Sequence, residues 1–95
     1  MSQTVSISPN ELRNVLQYMK QSQQQIAEQL HRTQQYVIDI ERNWSDEQYR
    51  IFYETYATMH NNVYPHIEVE YEHIIRFLES CIHMAEEYER IRMNR

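Results

Sequence analysis

The sequence contains no glycine in its 95 residues, whereas an average soluble chain has about 7 %. Motifs that press the backbone against a phosphate, such as the P-loop and the G-x-G-x-x-G turn, depend on glycine, and so does the nucleophile turn of α/β-hydrolases. Two-residue β-hairpin turns also lose the residue that they prefer. The absence therefore excludes these nucleotide-binding and hydrolase motifs and disfavours a β-sheet protein.

Cysteine, long apolar runs and positive charge are scarce as well. The single Cys81 excludes an intrachain disulfide. No stretch approaches the roughly 20 apolar residues of a membrane span, and residues 1–10 have neither the basic start nor the apolar run of a secretory signal peptide. Nine Lys and Arg against 14 Asp and Glu give a net charge of −5. Because nucleic acids and anionic membranes attract clustered basic residues, we expect no nucleic-acid partner and no membrane insertion.

The first half of the chain has the pattern of one long amphipathic helix. Ser8 and Glu11 form a capping box around Pro9, a residue favoured at the first helical position. Behind this start, mostly apolar residues recur with the 4-3 spacing of a coiled-coil seam. The series is Leu12, Leu16, Met19, Gln23, Ile26, Leu30, Thr33, Val37, Ile40 and Trp44. The pattern predicts a helix over about residues 9–43.

A short polar segment interrupts this helix. Trp44 is followed by Ser45 and Asp46, and Ser45 forms a second capping box with Gln48. We therefore expect a turn at about residues 43–46, and Ser45→Ala should destabilise the fold by about 1 kcal/mol if Ser45 is the N-cap. Trp44 has two interpretations: its ring closes the end of a helical hairpin, or it is a recognition element at an exposed tip.

The second half predicts a longer helix with a wider apolar face, over about residues 46–92. Its expected seam is Phe52, Tyr56, Met59, Val63, Ile67, Tyr71, Ile74, Leu78, Cys81, Ala85 and Tyr88. Further apolar side chains beside the seam, among them Ile75 and Phe77, widen the face enough to serve two neighbours. Since Pro65 removes a backbone hydrogen bond and clashes with the preceding turn, we expect a kink or a break near residues 62–65.

The short connection predicts that the two helices fold back on each other as an antiparallel hairpin. One helix–helix contact barely offsets the conformational entropy of ordering a chain of this size. The expected fold class is therefore all-α: an antiparallel two-helix hairpin that pairs as a dimeric four-helix bundle. The residues expected in the core and dimer interface are Leu16, Met19, Ile26, Leu30, Phe52, Tyr56, Met59 and Ile74.

No constellation of residues indicates catalysis or a bound cofactor. Two Glu-x-x-His pairs, Glu28/His31 and Glu70/His73, have the spacing of di-iron bundle sites. They fall beside the expected seams, however, so they should not point into a bundle core. Cys81 falls on the second seam, where we expect a buried apolar thiol rather than a nucleophile. We expect no catalytic residue, no metal, no cofactor and no enzymatic activity.

Several of these features together resemble the WXG family, the small early-secreted-antigen-type proteins exported by type VII secretion systems. The opening Ile7–Arg13 is similar to the family's start, Trp44 matches the tryptophan of the eponymous turn, Phe52 follows eight residues later, and residues 85–88 are similar to the end of the second helix. The resemblance covers almost the whole chain. It implies a helical hairpin, a homodimer or a heterodimer with a sister protein, and export without a cleaved signal peptide.

Two positions depart from the family pattern. Asp46 stands where the family usually has the glycine of its turn. The family's export signal, a tyrosine followed four residues later by an acidic residue, would begin at Tyr88 but meets Arg92. Tyr64 and Glu68 have the required spacing, but in the middle of the predicted helix. The departure at Arg92 favours export together with a partner that carries the signal.

The expected function is therefore non-enzymatic: a secreted WXG-like protein or a partner of one, which acts through protein–protein binding. The resemblance implies contacts with a secretion ATPase or an effector, made by a surface in which the Trp44 tip of one protomer lies near the tail of the other. The alternative is a cytoplasmic helical adaptor or regulatory coiled coil, unrelated to secretion, that binds a target helix on the wide face of residues 49–82.

Overall fold

The computed structural model describes residues 8–93. Helix α1 spans Pro9–Asp39 and is followed by one 3-10 turn, Ile40–Arg42, and helix α2 spans Glu47–Met93. The two helices run antiparallel and contact each other, which confirms the all-α hairpin. Ile7, the first residue of the family-like opening, lies outside the described residues.

Helix α1 begins as the sequence predicts. Ser8 has extended backbone angles, and its Oγ accepts a hydrogen bond from the backbone N–H of Glu11 at 3.2 Å. Pro9 occupies the first turn, where its missing N–H leaves no bond unmade. The helix then continues without interruption to Asp39. The predicted N-cap is therefore confirmed.

Helix α2 begins one residue later than the capping prediction requires. The backbone N–H of Tyr49 donates to Oδ1 of Asp46 at 3.1 Å, so the N-cap is Asp46 and not Ser45. The physical reason is the position at which the helix starts. Glu47 is the first helical residue, so Asp46 is the N-cap and Tyr49 is the third residue of the helix. An N-cap side chain accepts from the N–H of the second or third helical residue. The prediction that Ser45 caps this helix is wrong.

Pro65 lies inside α2 without ending it. The helix is continuous from Glu47 to Met93. Of the kink or break expected near residues 62–65, the break is therefore absent, and the kink stays a prediction. Proline leaves the carbonyl oxygen four residues earlier, that of Asn61, without its helical donor. Asn61 and Pro65 are both exposed, so water can reach the free oxygen and supply the missing bond.

The face of α1 that the spacing predicts as a seam is the face shielded by α2. Leu12 and Val37 are buried at its two ends. The positions between them in the 4-3 series are all half-buried: Leu16, Met19, Gln23, Ile26, Leu30 and Thr33. Of the last two positions, Trp44 is half-buried and Ile40 is exposed. The seam of α1 is therefore placed correctly by the sequence over its helical length.

The shielded face of α2 is rotated from the expected seam. Its most buried residues are Tyr49, Ile75 and Ile82. The half-buried residues of α2 include Tyr56, Tyr64, Ile67, Tyr71, Leu78, Cys81 and Ala85. Three residues of the expected core and dimer interface are exposed in the hairpin, Phe52 at 39 %, Met59 at 46 % and Ile74 at 42 %. They are therefore not part of the contact with α1, and their place in a dimer interface stays a prediction.

Cys81 is half-buried, so the expectation that its thiol is buried is wrong.

The hairpin is strongly elongated. It measures 73 × 24 × 17 Å, with a radius of gyration of 21.3 Å. A compact domain of this length would have a radius of gyration of about 12 Å. The extended shape places the connection between the helices at one end of the molecule, and the first and last described residues, Ser8 and Met93, at the other.

Candidate interaction surface

Polar side chains join the two helices at mid-length. The hydroxyl groups of Ser22 and Tyr71 share a hydrogen bond of 2.6 Å. From the adjacent residue of α1, Nε2 of Gln23 donates to Oε2 of Glu68 at 3.1 Å and to Oε1 of Glu72 at 3.4 Å. Because a partly buried polar group without a partner is costly, these bonds favour one pairing of the helices over shifted alternatives.

Ion pairs join the helices toward the termini. Arg13 pairs with Glu86, and Nζ of Lys20 lies 3.9 Å from Oε2 of Glu79. All four side chains are about half exposed, and exposed pairs of this kind contribute at most about 1 kcal/mol each. These pairs therefore contribute little to the stability of the hairpin, and their main effect is to favour one side of α2 for the contact with α1.

The groove between the helices at this level is open and polar. Its volume is about 690 Å³, and its lining includes Lys20, Gln23, Tyr64, Glu68, Glu72 and Glu79. Burial and the neighbouring carboxylate of Glu68 raise the pKa of Tyr64. Gln23 and Lys20 already engage the three glutamates. The Tyr64–Glu68 pair, which has the spacing of an export signal, is thus part of the contact between the helices.

An aromatic cluster closes the end of the hairpin. The Trp44 ring stacks on Phe52 with a centroid distance of 5.6 Å, and it meets Tyr49 edge to face, also at 5.6 Å. The hydroxyl of Tyr49 donates to the backbone oxygen of Val37 at 2.8 Å and so ties α2 to the end of α1. Burial, followed by the charge of Glu41, raises the pKa of Tyr49. Trp44 therefore has a structural role at the tip.

The same tip also presents apolar surface to solvent. Ile51, Phe52 and Tyr53 are all exposed beside the half-buried Trp44. Arg50, next to them, is held by the carboxylates of Glu47 and Glu54, which raise its pKa, and the bond from Arg50 lowers the pKa of Glu47. Both interpretations of Trp44 are compatible with this arrangement, because one side of the cluster is packed and the other is open.

A second apolar series lies on α2 beside the shielded face. Its members are Phe52, Tyr56, Met59, Val63, Ile67, Glu70, Ile74, Phe77, Cys81, Met84, Tyr88 and Ile91. We call this series the outer stripe. Phe77, Met84 and Tyr88 in it are 68 %, 69 % and 66 % exposed. The spacing alternates between four and three residues apart from one 4-4 step near Pro65, which is the spacing of a coiled-coil seam.

The outer stripe has the form of a helix-packing surface that the hairpin leaves mostly uncovered: Tyr56, Ile67 and Cys81 are half-buried, and the other nine positions are exposed. It contains one charged residue, Glu70, which is exposed. Large apolar side chains exposed at regular helical spacing indicate a site for a further helix, because isolated surface apolar residues have no such order.

The described residues offer little else that could hold a ligand. Glu28, His31, Glu70 and His73 are all exposed. Within residues 8–93, no three His, Cys, Asp or Glu side chains lie close enough together to hold a metal ion. In the same range, neither helix is long and apolar enough to cross a membrane. Tyr88 and Arg92 are both exposed at the end of α2, far from the Trp44 tip.

Sequence analysis did not single out His60, which packs among the aromatic side chains of α2. Its ring lies between Tyr56 and Tyr64, at centroid distances of 5.8 and 5.6 Å. Nδ1 of His60 and the hydroxyl oxygen of Tyr56 are buried without a hydrogen-bond partner. The signal was present in the sequence: Tyr49, Tyr53, Tyr56, His60 and Tyr64 form an aromatic series with helical spacing.

Comparisons with known proteins add no assignment to this geometry. No family model matches the chain, and neither does any curated protein or any solved structure. The functional interpretation is therefore based on the surfaces described above and on the resemblance of the sequence motifs.

Proposed function

We propose that the chain is a non-enzymatic WXG-like protein that works as a dimer in a type VII secretion system, either as an exported protein or as the partner that accompanies one. Its action is protein–protein binding. The dimer is a four-helix bundle made of two hairpins, a homodimer or a heterodimer with a sister protein. A secretion ATPase or an effector is the further partner in this proposal.

The outer stripe is the observation that carries the proposal. An apolar series about 60 Å long, calculated from the rise per residue of a helix between Phe52 and Ile91, is more than an isolated hairpin uses. Covering it with the helices of a second hairpin would complete a four-helix bundle. The Trp44 turn and the hairpin architecture support the WXG-like part of the proposal.

The aromatic tip supplies the second element of the proposed binding surface. In an antiparallel dimer, the tip of one hairpin would lie beside the start of α1 and the end of α2 of the other, because these features lie at opposite ends of a molecule 73 Å long. The exposed Phe52 and Tyr53 of one protomer and the end of α2 of the other would then form one composite surface. This surface is the proposed contact for the secretion machine.

Two measurements test the proposal. Sedimentation equilibrium at micromolar concentration should give a dimer, of the chain alone or with a co-expressed sister protein. In the organism that encodes it, the chain should appear in culture supernatant only when the type VII ATPase is functional. A helical monomer that gains no partner, or export that is independent of the ATPase, would contradict the proposal.

A matched pair of variants tests the role of the tip. Trp44→Ala removes the ring that holds the aromatic cluster together, and export should fall while helical content is largely kept. Tyr18→Ala removes an aromatic ring that is exposed on α1, away from the tip, and export should not change. Equal export of both variants and the parent chain would exclude the tip from recognition.

One observation favours the alternative function, a cytoplasmic helical adaptor. Arg92 occupies the position where an acidic residue would complete the export signal after Tyr88. An adaptor would use the same outer stripe to bind a target helix. Absence of the chain from culture supernatant, with and without a working type VII system, combined with capture of one helical target through the stripe, would establish this function instead.

A further inference from the structure

We infer that the aromatic cluster at the tip of the hairpin binds an arginine side chain from a short apolar segment of a partner protein, with the carboxylate of Glu41 as its counter-charge. The cluster consists of Trp44, Tyr49, Phe52 and Tyr53. The inference rests on the recognition role that the proposed function gives to the tip, and it specifies the chemistry of the partner there. It requires neither the dimer nor export.

The four rings of the cluster form one connected group. Between ring centroids, Phe52 lies 5.6 Å from Trp44 and 6.3 Å from Tyr49. Tyr53 lies 6.1 Å from Tyr49. Tyr49 is buried and its hydroxyl is bonded to the end of α1, whereas Phe52 and Tyr53 are 39 % and 38 % exposed. The buried ring holds the exposed rings in place, so a partner meets a surface that is already ordered and loses less entropy on binding.

The tip carries more than half of the net negative charge of the chain. Residues 39–54 contain five acidic residues and two arginines, so they carry −3 of the total of −5. These charged residues are Asp39, Glu41, Asp46, Glu47 and Glu54, with Arg42 and Arg50. The other 79 residues share the remaining −2. A surface with this charge attracts a cationic partner and repels an acidic or phosphate-bearing one.

Glu41 is the carboxylate beside the rings that an external cation can reach. Arg50, a cation of the tip itself, is already held by Glu47 and Glu54. Among the described residues, no ion pair engages Glu41, which is exposed. The charge of Glu41 acts on the cluster, because after burial it is the next cause of the raised pKa of Tyr49. The tip therefore combines exposed aromatic rings with an unpaired carboxylate.

This combination favours arginine over other side chains. The faces of aromatic rings attract a cation that lies above them. The guanidinium group of arginine is planar and weakly hydrated, so it can stack on a ring and donate to a carboxylate at the same time, whereas the ammonium group of lysine is strongly hydrated. The apolar area of the exposed rings favours apolar side chains next to the arginine. The partner segment is therefore one in which arginine alternates with residues such as leucine.

Peptide titration of the full chain tests the inference, with Trp44 as the reporter. Trp44 is the single tryptophan of the sequence, so a change in tryptophan fluorescence reports binding near the tip. The probe is a short end-blocked peptide of alternating arginine and leucine. It should change the Trp44 emission in a saturable way, and its affinity should fall as the salt concentration rises. Peptides with lysine in place of arginine, or serine in place of leucine, should bind more weakly, and one with glutamate in place of arginine should not bind.

Matched variants locate the contact, with dissociation constants measured by calorimetry. Glu41→Gln should weaken binding of the arginine peptide about threefold, whereas Glu28→Gln, which removes an exposed carboxylate away from the tip, should not. Tyr53→Leu keeps an apolar side chain but removes the ring, and it should also weaken binding about threefold. The control is Tyr18→Leu, at an exposed position on α1. Met84→Ser, on the outer stripe, should leave binding unchanged. Circular dichroism of each variant establishes that the helices are present.

Four results would overturn the inference. The first is a Trp44 emission that does not change at millimolar concentrations of the arginine peptide. Equal binding of the serine-substituted peptide would show attraction by net charge alone, and equal binding of the lysine peptide would remove the preference for arginine. Equal effects of E41Q and E28Q would place the contact away from the tip.

The proposed function is tested separately, because it depends on export and on the dimer. If Trp44→Ala abolishes export while the arginine peptide does not bind, the inference fails and the proposed function stands, with a partner of other chemistry at the tip. If the peptide binds with the expected dependence on Glu41 and Tyr53 but export does not require the type VII ATPase, the proposed function fails and the inference stands.

Discussion

The two helices of this hairpin differ in how many neighbours their side chains can serve. Helix α1 has 31 residues and one shielded apolar face, and much of the rest of its surface is glutamine. Helix α2 has 47 residues, a shielded face and the outer stripe beside it. The single contact with α1 uses only one of these two faces. The surplus apolar surface on α2 is the surface that the proposed dimer would cover, whereas α1 has no second continuous apolar face.

The exposed apolar side chains of the two helices differ in their spacing as well as in their number. Helix α1 also exposes large apolar side chains: Val15, Tyr18, Tyr36 and Ile38. They do not form a continuous 4-3 series, since serine, glutamine and arginine occupy the positions between them. On α2 the exposed apolar residues continue for most of the helix with a single charged interruption. Regular spacing therefore distinguishes a packing surface from scattered exposed residues.

The largest expected effect compares the two faces of α2. Ile75→Ala removes a buried side chain from the contact with α1, and we expect a loss of about 2 to 4 kcal/mol in the free energy of unfolding, from lost burial and the remaining cavity. Phe77→Ala is the matched variant on the outer stripe. At a concentration where the chain is monomeric, urea denaturation of F77A should match the parent. Equal losses for both variants would mean that the outer stripe is covered within the monomer.

The second prediction concerns the proline that α2 contains and α1 lacks in its interior. Pro65→Ala restores the N–H donor to the carbonyl oxygen of Asn61, and alanine is favoured over proline inside a helix by about 3 kcal/mol. Part of this gain is offset because alanine leaves the unfolded chain more flexible. We expect thermal or urea unfolding to show a net stabilisation of about 2 kcal/mol. Gln25→Ala, an exposed position inside α1, should change the stability by less than about 0.5 kcal/mol. Destabilisation by P65A would show that the proline ring makes a contact worth more than the missing bond.

The third prediction compares the starts of the two helices. Ser8→Ala and Asp46→Ala each remove an N-cap acceptor, and each should lower the free energy of unfolding by about 1 kcal/mol. Ser45→Ala is the control, because the hydrogen bond to the start of α2 comes from its neighbour. If S45A lowered the free energy of unfolding as much as D46A, Ser45 would contribute to the cap as much as Asp46, contrary to this assignment. Urea denaturation of the three variants under one condition provides the comparison.

The smallest effect is a loss of stability at alkaline pH. Burial raises the pKa of Tyr49 above its unfolded value of about 10. The folded state therefore keeps this proton more strongly than the unfolded chain, so the contribution is complete below about pH 10 and is lost as pH rises through the folded pKa. Tyr49→Phe should remove this part of the alkaline loss, measured as unfolding midpoints between pH 8 and pH 11.5.

Two further variants sharpen the alkaline test. The pKa of Tyr64 is also raised, by burial and by Glu68, so the double variant Y49F/Y64F should flatten the profile more than Y49F alone. Tyr18→Phe, at an exposed position on α1, should leave the alkaline profile as it is in the parent chain. An identical alkaline loss in Y49F and in the parent chain would contradict the assignment to Tyr49.

The fold was predictable from the sequence because both helices carry strong local signals. Ser8 and Pro9 start α1, the polar segment after Trp44 separates the helices, and the short connection permits only a hairpin. The apolar series of α1 is narrow and lies on one side of the helix, so its centre coincides with the face that contacts α2. Where two suitable caps stood next to each other, the capping-box pattern with Gln48 selected Ser45, whereas the structure uses Asp46. Serine and aspartate are favoured almost equally as N-caps, so local preference did not separate them.

The faces of α2 were harder to predict for a physical reason. Periodicity gives the mean direction of the apolar side chains, and on a wide apolar surface this direction falls between two contact faces. The predicted seam therefore joined residues of both: Tyr71 and Leu78 are half-buried, whereas Phe52 and Ile74 are exposed. Burial in the folded hairpin separates the two sets. The interaction surface thus became visible only after the residues used by α1 were known.

The connection between the helices has a consequence for how this sequence can vary. None of the described residues has a positive φ angle, so the chain reverses direction with backbone conformations that every ordinary L-amino acid adopts without strain. Mutations in such a turn are tolerated or rejected through side-chain chemistry alone, here the carboxylate of Asp46 and the ring of Trp44. The flanking Asn43 and Ser45 are exposed, so we expect substitutions at these two positions to have little effect on the turn. A sequence profile that requires glycine at this turn will therefore overlook chains that make the same reversal by capping.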